Sequence, residues 1–265
     1  MIAVVLAAGE GTRLLPVTRG RSKALLEVAG TPILVHCLEA LATLEPDRIV
    51  VVVGCRKEQI VRAVGGHFAG IPIDYAEQPE ASGSADAILA AAAHLGASEE
   101  IVVMNGDNVF AADLRPVLLV HRAEGHTATL LIERLSPERA VQGICRLGAG
   151  GRVVGLAEHP SEVEREAGVV SAGLYVFSPR ILGACRRVAP SANGEREISE
   201  AINLLIEEGH SVGVSWLAGW RVNVNRAEDL EVAERRLGGG RQGFSETYHQ
   251  RKKAPAGQPN PPGQP

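Results

Sequence analysis

Met1-Ile-Ala-Val-Val-Leu-Ala-Ala-Gly-Glu-Gly-Thr-Arg-Leu-Leu-Pro16, running on to Ser22-Lys23, is the stretch from which the fold can be read. Ile2 to Leu6 is an unbroken apolar run with two adjacent valines, which predicts a strand covered on both faces. It leads into Ala7-Ala8-Gly9-Glu10-Gly11-Thr12-Arg13, where small residues let the backbone turn sharply and approach a ligand. The N–H groups of such a loop can hold an anion. Arg13 adds a bidentate phosphate donor, and Lys23 a second cation. Two better-known phosphate loops do not fit. A Walker loop needs Gly-Lys-Ser/Thr, but Gly11 is followed by Thr12-Arg13. The dinucleotide fingerprint needs a small residue where Leu14 stands, and Pro16 would break a helix starting there. The loop is either a third kind of phosphate cradle or a plain strand-to-helix turn with Arg13 and Lys23 in solvent.

Outward from this stretch the chain alternates. A helix is expected over 32–44, with Thr31 as cap, Pro32 at its first position and Ile33, Leu34, Leu38, Leu41 and Leu44 inward. Arg48–Val53 reads as a strand, Lys57–Val64 as a helix, Ile71–Tyr75 as a strand, 84–95 as a helix and Ile101–Met104 as a strand ending in Asn105-Gly106-Asp107-Asn108. This pattern predicts an α/β fold with a doubly wound, mostly parallel, Rossmann-like sheet. Ligands of such sheets bind beyond the strands' carboxyl ends, where the first loop and the Asp107 loop both lie. Later segments give a helix over 113–124 and strands near 127–132, 143–147, 152–157 and 168–177. Helices follow near 178–185 and 197–208, then strands over 211–216 and 221–224. The last helix is expected over 225–237, with Asn225 as cap and Glu228 completing a capping box. Residues 238–265 hold almost no apolar content and read as a disordered tail.

The composition is that of an ordinary globule: 265 residues, 45% apolar, 22% charged. A formal net charge of −4 argues against non-specific nucleic-acid binding, and 3% aromatics leaves few platforms for stacking bases. Cys37, Cys55, Cys145 and Cys185 form no Cys-x-x-Cys pair and are expected as buried thiols in a reducing compartment. The first strand has no basic leader before it, and no apolar run is long enough to span a bilayer. A cytoplasmic protein with no membrane partner is therefore expected.

The chain resembles the sugar-1-phosphate nucleotidylyltransferases, or nucleotide-sugar pyrophosphorylases. The resemblance rests first on Leu6-Ala-Ala-Gly-Glu-Gly-Thr-Arg-Leu14, Pro16-Val-Thr18, Ser22-Lys23 and Gly30-Thr-Pro32; Ser22 stands where the family has proline. Glu77-Gln78 with Gly83-Ser84-Ala-Asp-Ala87 is similar to the base-reading segment, and Gly106-Asp107 to the metal segment. Gln142-Gly143, Glu158-His159-Pro160 and Val170-Ser-Ala-Gly-Leu-Tyr175 are similar to the sugar half, with His159 in place of the usual lysine. Glu197-Ile-Ser-Glu-Ala-Ile-Asn203 also matches and reads as structural. Trp220-Arg-Val-Asn-Val-Asn225 matches the segment that supplies a second metal ligand, with Asn223 where most members have aspartate. The match covers residues 1 to about 237.

The resemblance implies a glycosyltransferase-A-like nucleotidyltransferase fold with an inserted sugar-binding β subregion. A nucleotide half over about 1–125 and a sugar-phosphate half over about 126–237 would make one domain. It implies an enzyme joining a nucleoside triphosphate to a sugar 1-phosphate with release of pyrophosphate, most simply dTTP or UTP with glucose 1-phosphate. Catalysis would fall to Arg13, Lys23 and Asp107. The nucleotide would lie against Leu6, Ala7, Ala8, Gly9, Gly11, Thr12, Arg13, Gln78, Gly83 and Ser84. Gly143, Glu158, His159, Ser171 and Gly173 would take the sugar phosphate. Mg²⁺ would sit on Asp107 and Asn223, or Asn225 in a register shifted by one step. Association into a homo-oligomer is left open. His159 and Asn223 leave a cytidylyltransferase acting on inositol or choline phosphate as an alternative. A non-catalytic nucleotide-sugar-binding regulator keeping the fold is another.

Overall fold

The computed structural model describes residues 1–96, 100–135, 143–158, 160–162 and 168–238. The tail expected over 238–265 lies outside these residues except for Gly238. In chain order the strands are β1 Ile2–Ala7, β2 Glu27–Val28, β3 Thr31–Pro32, β4 Arg48–Val53, β5 His67–Phe68, β6 Ile71–Glu77, β7 Ile101–Asn105, β8 Asn108–Ala112, β9 Ala128–Arg134, β10 Ile144–Leu147, β11 Val153–Ala157, β12 Val169–Phe177, β13 Val212–Trp216 and β14 Gly219–Asn223. The helices are α1 Ile33–Ala42, α2 Lys57–Val64, α3 Ser84–Ala90, α4 Arg115–Glu124, α5 Arg180–Arg187, α6 Ile198–Glu207 and α7 Ala227–Leu237.

The expected parallel strands lie side by side in the order β7-β1-β4-β6. Alternate residues of each enter different cores. Ala3, Val5, Ile49, Val51, Val102 and Met104 pack with α1 on one face. Ile2, Val4, Val50, Val52, Ile101 and Val103 pack with α3, α5 and α6 on the other. Burial on both faces is why β1, β4 and β7 read as near-continuous apolar runs, while the outer β6, with Asp74 in mid-strand, does not. The second half continues the same sheet through antiparallel β12. Its Leu174–Phe177 part pairs with β7, while its full length lies along β9, with β13 parallel to β9 beyond. Upstream, Val170 of β12 pairs with Ile144 of β10. The register with β9 shifts between Ser171 and Tyr175, around Gly173 at φ 71°. β8 and β14 form a separate antiparallel ribbon.

Three local expectations are corrected. Thr31 does not cap α1: it pairs with Val28 in a tight hairpin, and Pro32 is the cap residue. Asn225 does not cap the last helix either. The cap is Arg226, and Asp229 rather than Glu228 completes the box, its Oδ2 accepting from the N–H groups of both Asn225 and Arg226 at 2.8 Å. Aspartate reaches back from the third helical position as glutamate would. Cys55 is exposed, because the chain has already left the sheet at Gly54; Cys37, Cys145 and Cys185 are buried. Burial pushes each of these three thiols up to about 12.

Candidate active site

A cavity of about 650 Å³ opens at the carboxyl ends of β1, β6 and β7 and reaches β12 and β14. The first loop forms one wall with Leu6, Ala7, Ala8, Gly9 and Arg13. Its backbone is crowded from both sides. A Cβ on Gly54 would lie 2.6 Å from the Ala8 carbonyl oxygen, and one on Gly106 would lie 2.6 Å from that of Leu6. Gly11 turns the loop at φ 67°, and a Cβ there would meet Lys23 Cβ at 2.8 Å. Thr18 Oγ1 donates to the Gly11 carbonyl at 3.0 Å. Gly11 and Thr12 therefore shape the loop and seat Lys23 without lining the cavity themselves.

Lys23 is the centre of the arrangement. Its Nζ donates to Asp107 Oδ2 and to Asn225 Oδ1, each at 2.9 Å, and its side chain is 12% exposed. Asp107 stands just past β7, next to the first loop because β7 pairs with β1. The two metal-ligand candidates separate in this frame. Asn225 holds Lys23. Asn223 ends β14 opposite Asn108, and its Oδ1 is buried without a hydrogen-bond partner, as is Asp107 Oδ1. Buried oxygens left bare are costly unless something takes them. A carboxylate and an amide oxygen form a hard set that suits Mg²⁺. Among the described residues no cluster of three or more His, Cys, Asp or Glu is placed to hold a metal.

Gln78 follows β6 and is buried, its main-chain N–H donating to the Val53 carbonyl. Its Nε2 donates to the carbonyl of Gly83 at 2.9 Å and to Ser82 Oγ at 3.3 Å. Since a carbonyl accepts only from the nitrogen, this network fixes which way the amide faces. Gly83 sits at φ 102° against the chain at Arg196, whose carbonyl oxygen would lie 2.3 Å from an added Cβ. Ser84 lines the cavity, but its hydroxyl donates to Glu197 Oε2 and accepts from Ile198 N–H, both at 2.8 Å. It ties α3 to α6.

Gly143, Glu158, Ser171 and Gly173 line the other side of the same cavity. His159 lies outside the described residues. Ser171 Oγ donates to Tyr175 Oη at 2.9 Å and accepts from Gly173 N–H at 3.1 Å. A Cβ on Gly173 would meet Asn108 Nδ2 at 2.7 Å.

Among the wall residues that sequence reasoning missed, three carry charge beside the sugar-side wall. Arg221, on β14, is buried. It donates from Nη1 to Asn108 Oδ1 and from Nη2 to the Ser171 carbonyl, and pairs through Nε with Glu133 Oε1, each at 2.9 Å. Glu133 is the second. Glu197, read as structural, is the third; burial first, and the neighbouring Glu195 and Glu158 carboxylates with it, push it up to about 7. Two sequence signals touched them: the Trp220–Asn225 match, which pointed to the asparagines, and the Glu197–Asn203 match, which read as structural.

Residues 2–221 match the family described as nucleotidyl transferase. The chain is 41% identical over 238 residues to the UTP–glucose-1-phosphate uridylyltransferase AglF of Haloferax volcanii, covering 89% of this chain and 96% of that protein. It is 36% identical over 234 residues to a glucose-1-phosphate thymidylyltransferase of Streptomyces antibioticus, covering 88% of this chain and 65% of that one. In three dimensions it is similar to a Bacillus anthracis protein described as a glucose-1-phosphate thymidylyltransferase and crystallised with sucrose. There the TM-score is 0.83 at 24% identity, over 93% of this chain and 99% of that one.

Proposed function

The chain belongs to the nucleotidyl transferase family, and we propose that it joins a nucleoside triphosphate to a sugar 1-phosphate, releasing pyrophosphate, with UTP or dTTP and glucose 1-phosphate as the pair. The observation that carries this reading is Lys23. Its ammonium is held between Asp107 and Asn225 in one cavity with the phosphate loop, Gln78 and Glu158. An oxygen of the sugar phosphate attacks the α-phosphorus. The new P–O bond forms as the bond from the α-phosphorus to the bridging oxygen breaks, and pyrophosphate leaves with that electron pair. Such transfer needs positioning and charge neutralisation more than covalent catalysis. The Ala8–Gly9 backbone and Arg13 hold the β- and γ-phosphates that depart. Lys23 neutralises charge gathering at the α-phosphorus. Glu158 accepts from sugar hydroxyls, and Gly143 and Gly173 leave room for the ring. Mg²⁺ held by Asp107 and Asn223 would supply further charge neutralisation to the phosphates.

The amide of Gln78 supports a uracil or thymine base. With Nε2 spent on Gly83 and Ser82, the atom left for a base is the Oε1 acceptor. Uracil and thymine present an N3–H donor to it, whereas cytosine has a lone pair at N3 and can meet it only through its exocyclic N4 amino group. The uridylyl- and thymidylyltransferase relatives support the same choice. Pyrophosphate release measured across the four common NTPs plus dTTP, each with several sugar phosphates and inositol and choline phosphates, tests the reading. Turnover with UTP or dTTP and glucose 1-phosphate is expected. Turnover confined to CTP would select the cytidylyl alternative, and none with any pair would overturn the proposal.

A further inference from the structure

We infer that Asn225 is a positioning residue: its side-chain carbonyl shares the Lys23 ammonium with Asp107, which leaves the carboxylate able to take a metal cation while Lys23 stays in place. The inference rests on the proposed reading of Asp107 and Asn223 as the metal site. An ammonium has three donors. Two are spent in this structure, on Asp107 Oδ2 and Asn225 Oδ1, and the third remains for a phosphate oxygen in the cavity that Lys23 lines.

Asn225 is built into position from both sides. Val224 N–H donates to the Asp107 main-chain carbonyl at 2.8 Å, and Asn225 N–H donates to Asp229 Oδ2 at 2.8 Å. Because α7 starts one residue later than its sequence suggests, the Asn225 side chain is released from capping and reaches Lys23 instead. Lysine carries a long, rotamer-rich stem, so holding it before substrate arrives removes an ordering cost from binding.

The electrostatics say why a neutral acceptor belongs there. Asp107 carries one negative charge, with Lys23 on Oδ2 and a bare, buried Oδ1. A divalent cation on Oδ1 would repel an ammonium on the other oxygen of the same carboxylate. Asn225 gives Lys23 a second acceptor, so the two cations share the carboxylate. Without it Lys23 depends wholly on Asp107 and competes with the metal.

Mn²⁺ titration of the full chain, followed through the electron paramagnetic resonance signal of the free ion, reads this directly. Asn225→Ala is expected to weaken Mn²⁺ binding about tenfold, the scale of losing a residue that supports a metal ligand. In a Lys23→Ala background the same substitution is expected to change nothing, because Asn225 acts through Lys23. Asn225→Ser serves as a second variant, and thermal unfolding verifies that each is folded. A loss that persists undiminished in the Lys23→Ala background would make Asn225 a direct ligand and overturn the inference. So would unchanged Mn²⁺ affinity in folded Asn225→Ala. Absence of Mn²⁺ binding by the unsubstituted chain would overturn the metal assignment itself, and this inference with it.

Discussion

Single side chains in this site are defined by what they are already bonded to. Gln78 is the plainest case: its donor is committed to Gly83, so its selectivity comes from an acceptor that cannot flip. Gln78→Ala should raise the KM for UTP about tenfold, the scale of one hydrogen bond to a recognised group, and narrow the preference for UTP over CTP in steady-state assays. Glu197 carries a pH signature. Its carboxyl is held at about 7 in the folded chain against 4.5 for the free group. The folded state therefore binds the proton more tightly than the unfolded one, and stability is full below 4.5 and declines as pH rises through about 7. Urea unfolding at pH 5 and pH 8 should show the decline, and Glu197→Gln should remove it. A difference of about 1 kcal/mol is expected, since part of the group is open to solvent. Arg13 and Asp107 were legible in the sequence because each follows the carboxyl end of a strand whose apolar run is unmistakable, and Lys23 and Gln78 through the longer motifs that carry them. Arg221 was not: its partners Asn108 and Ser171 stand 113 and 50 residues away, and no local pattern encodes such a meeting.

Elements were legible wherever burial dictated their period. The β1, β4 and β7 runs and the α1 stripe need no tertiary knowledge, since their covered faces dominate their composition; β6 and α2 bury a narrower stripe. Caps were less so, because capping depends on which of two adjacent residues takes extended backbone. At α7 the choice fell to Arg226, and the consequence reached Lys23. Asp229→Ala should therefore do two things at once. Loss of the capping box should cost about 1 kcal/mol in denaturant unfolding. Loosening of Asn225 should lower kcat more than the KM for the nucleotide. Gly83→Ala tests another junction, where α3 meets the segment before α6. Its positive φ and the Arg196 backbone leave no room for a methyl, and a loss of about 2 kcal/mol or more is expected by the same measurement.

Over the whole molecule, the halves proposed for nucleotide and sugar are not separate bodies. β7 belongs to one and β12 to the other, yet they are hydrogen-bonded neighbours in one sheet. Arg221 adds a buried cross-tie from β14 to β8, β9 and β12. Arg221→Met would remove the guanidinium from Asn108, the Ser171 carbonyl and Glu133 at once and should destabilise the chain by about 3 kcal/mol or more, read from the shift in denaturation midpoint. The pairing of β7 with β12 also bears on timing. A site whose two walls hang from hydrogen-bonded neighbours in one sheet has its walls joined along the pairing itself, so the spacing between the two reacting phosphates is expected to be set when the chain folds, before either substrate arrives. The radius of gyration should stay constant in X-ray scattering as nucleotide and sugar phosphate are added in turn, and the two should be free to enter in either order.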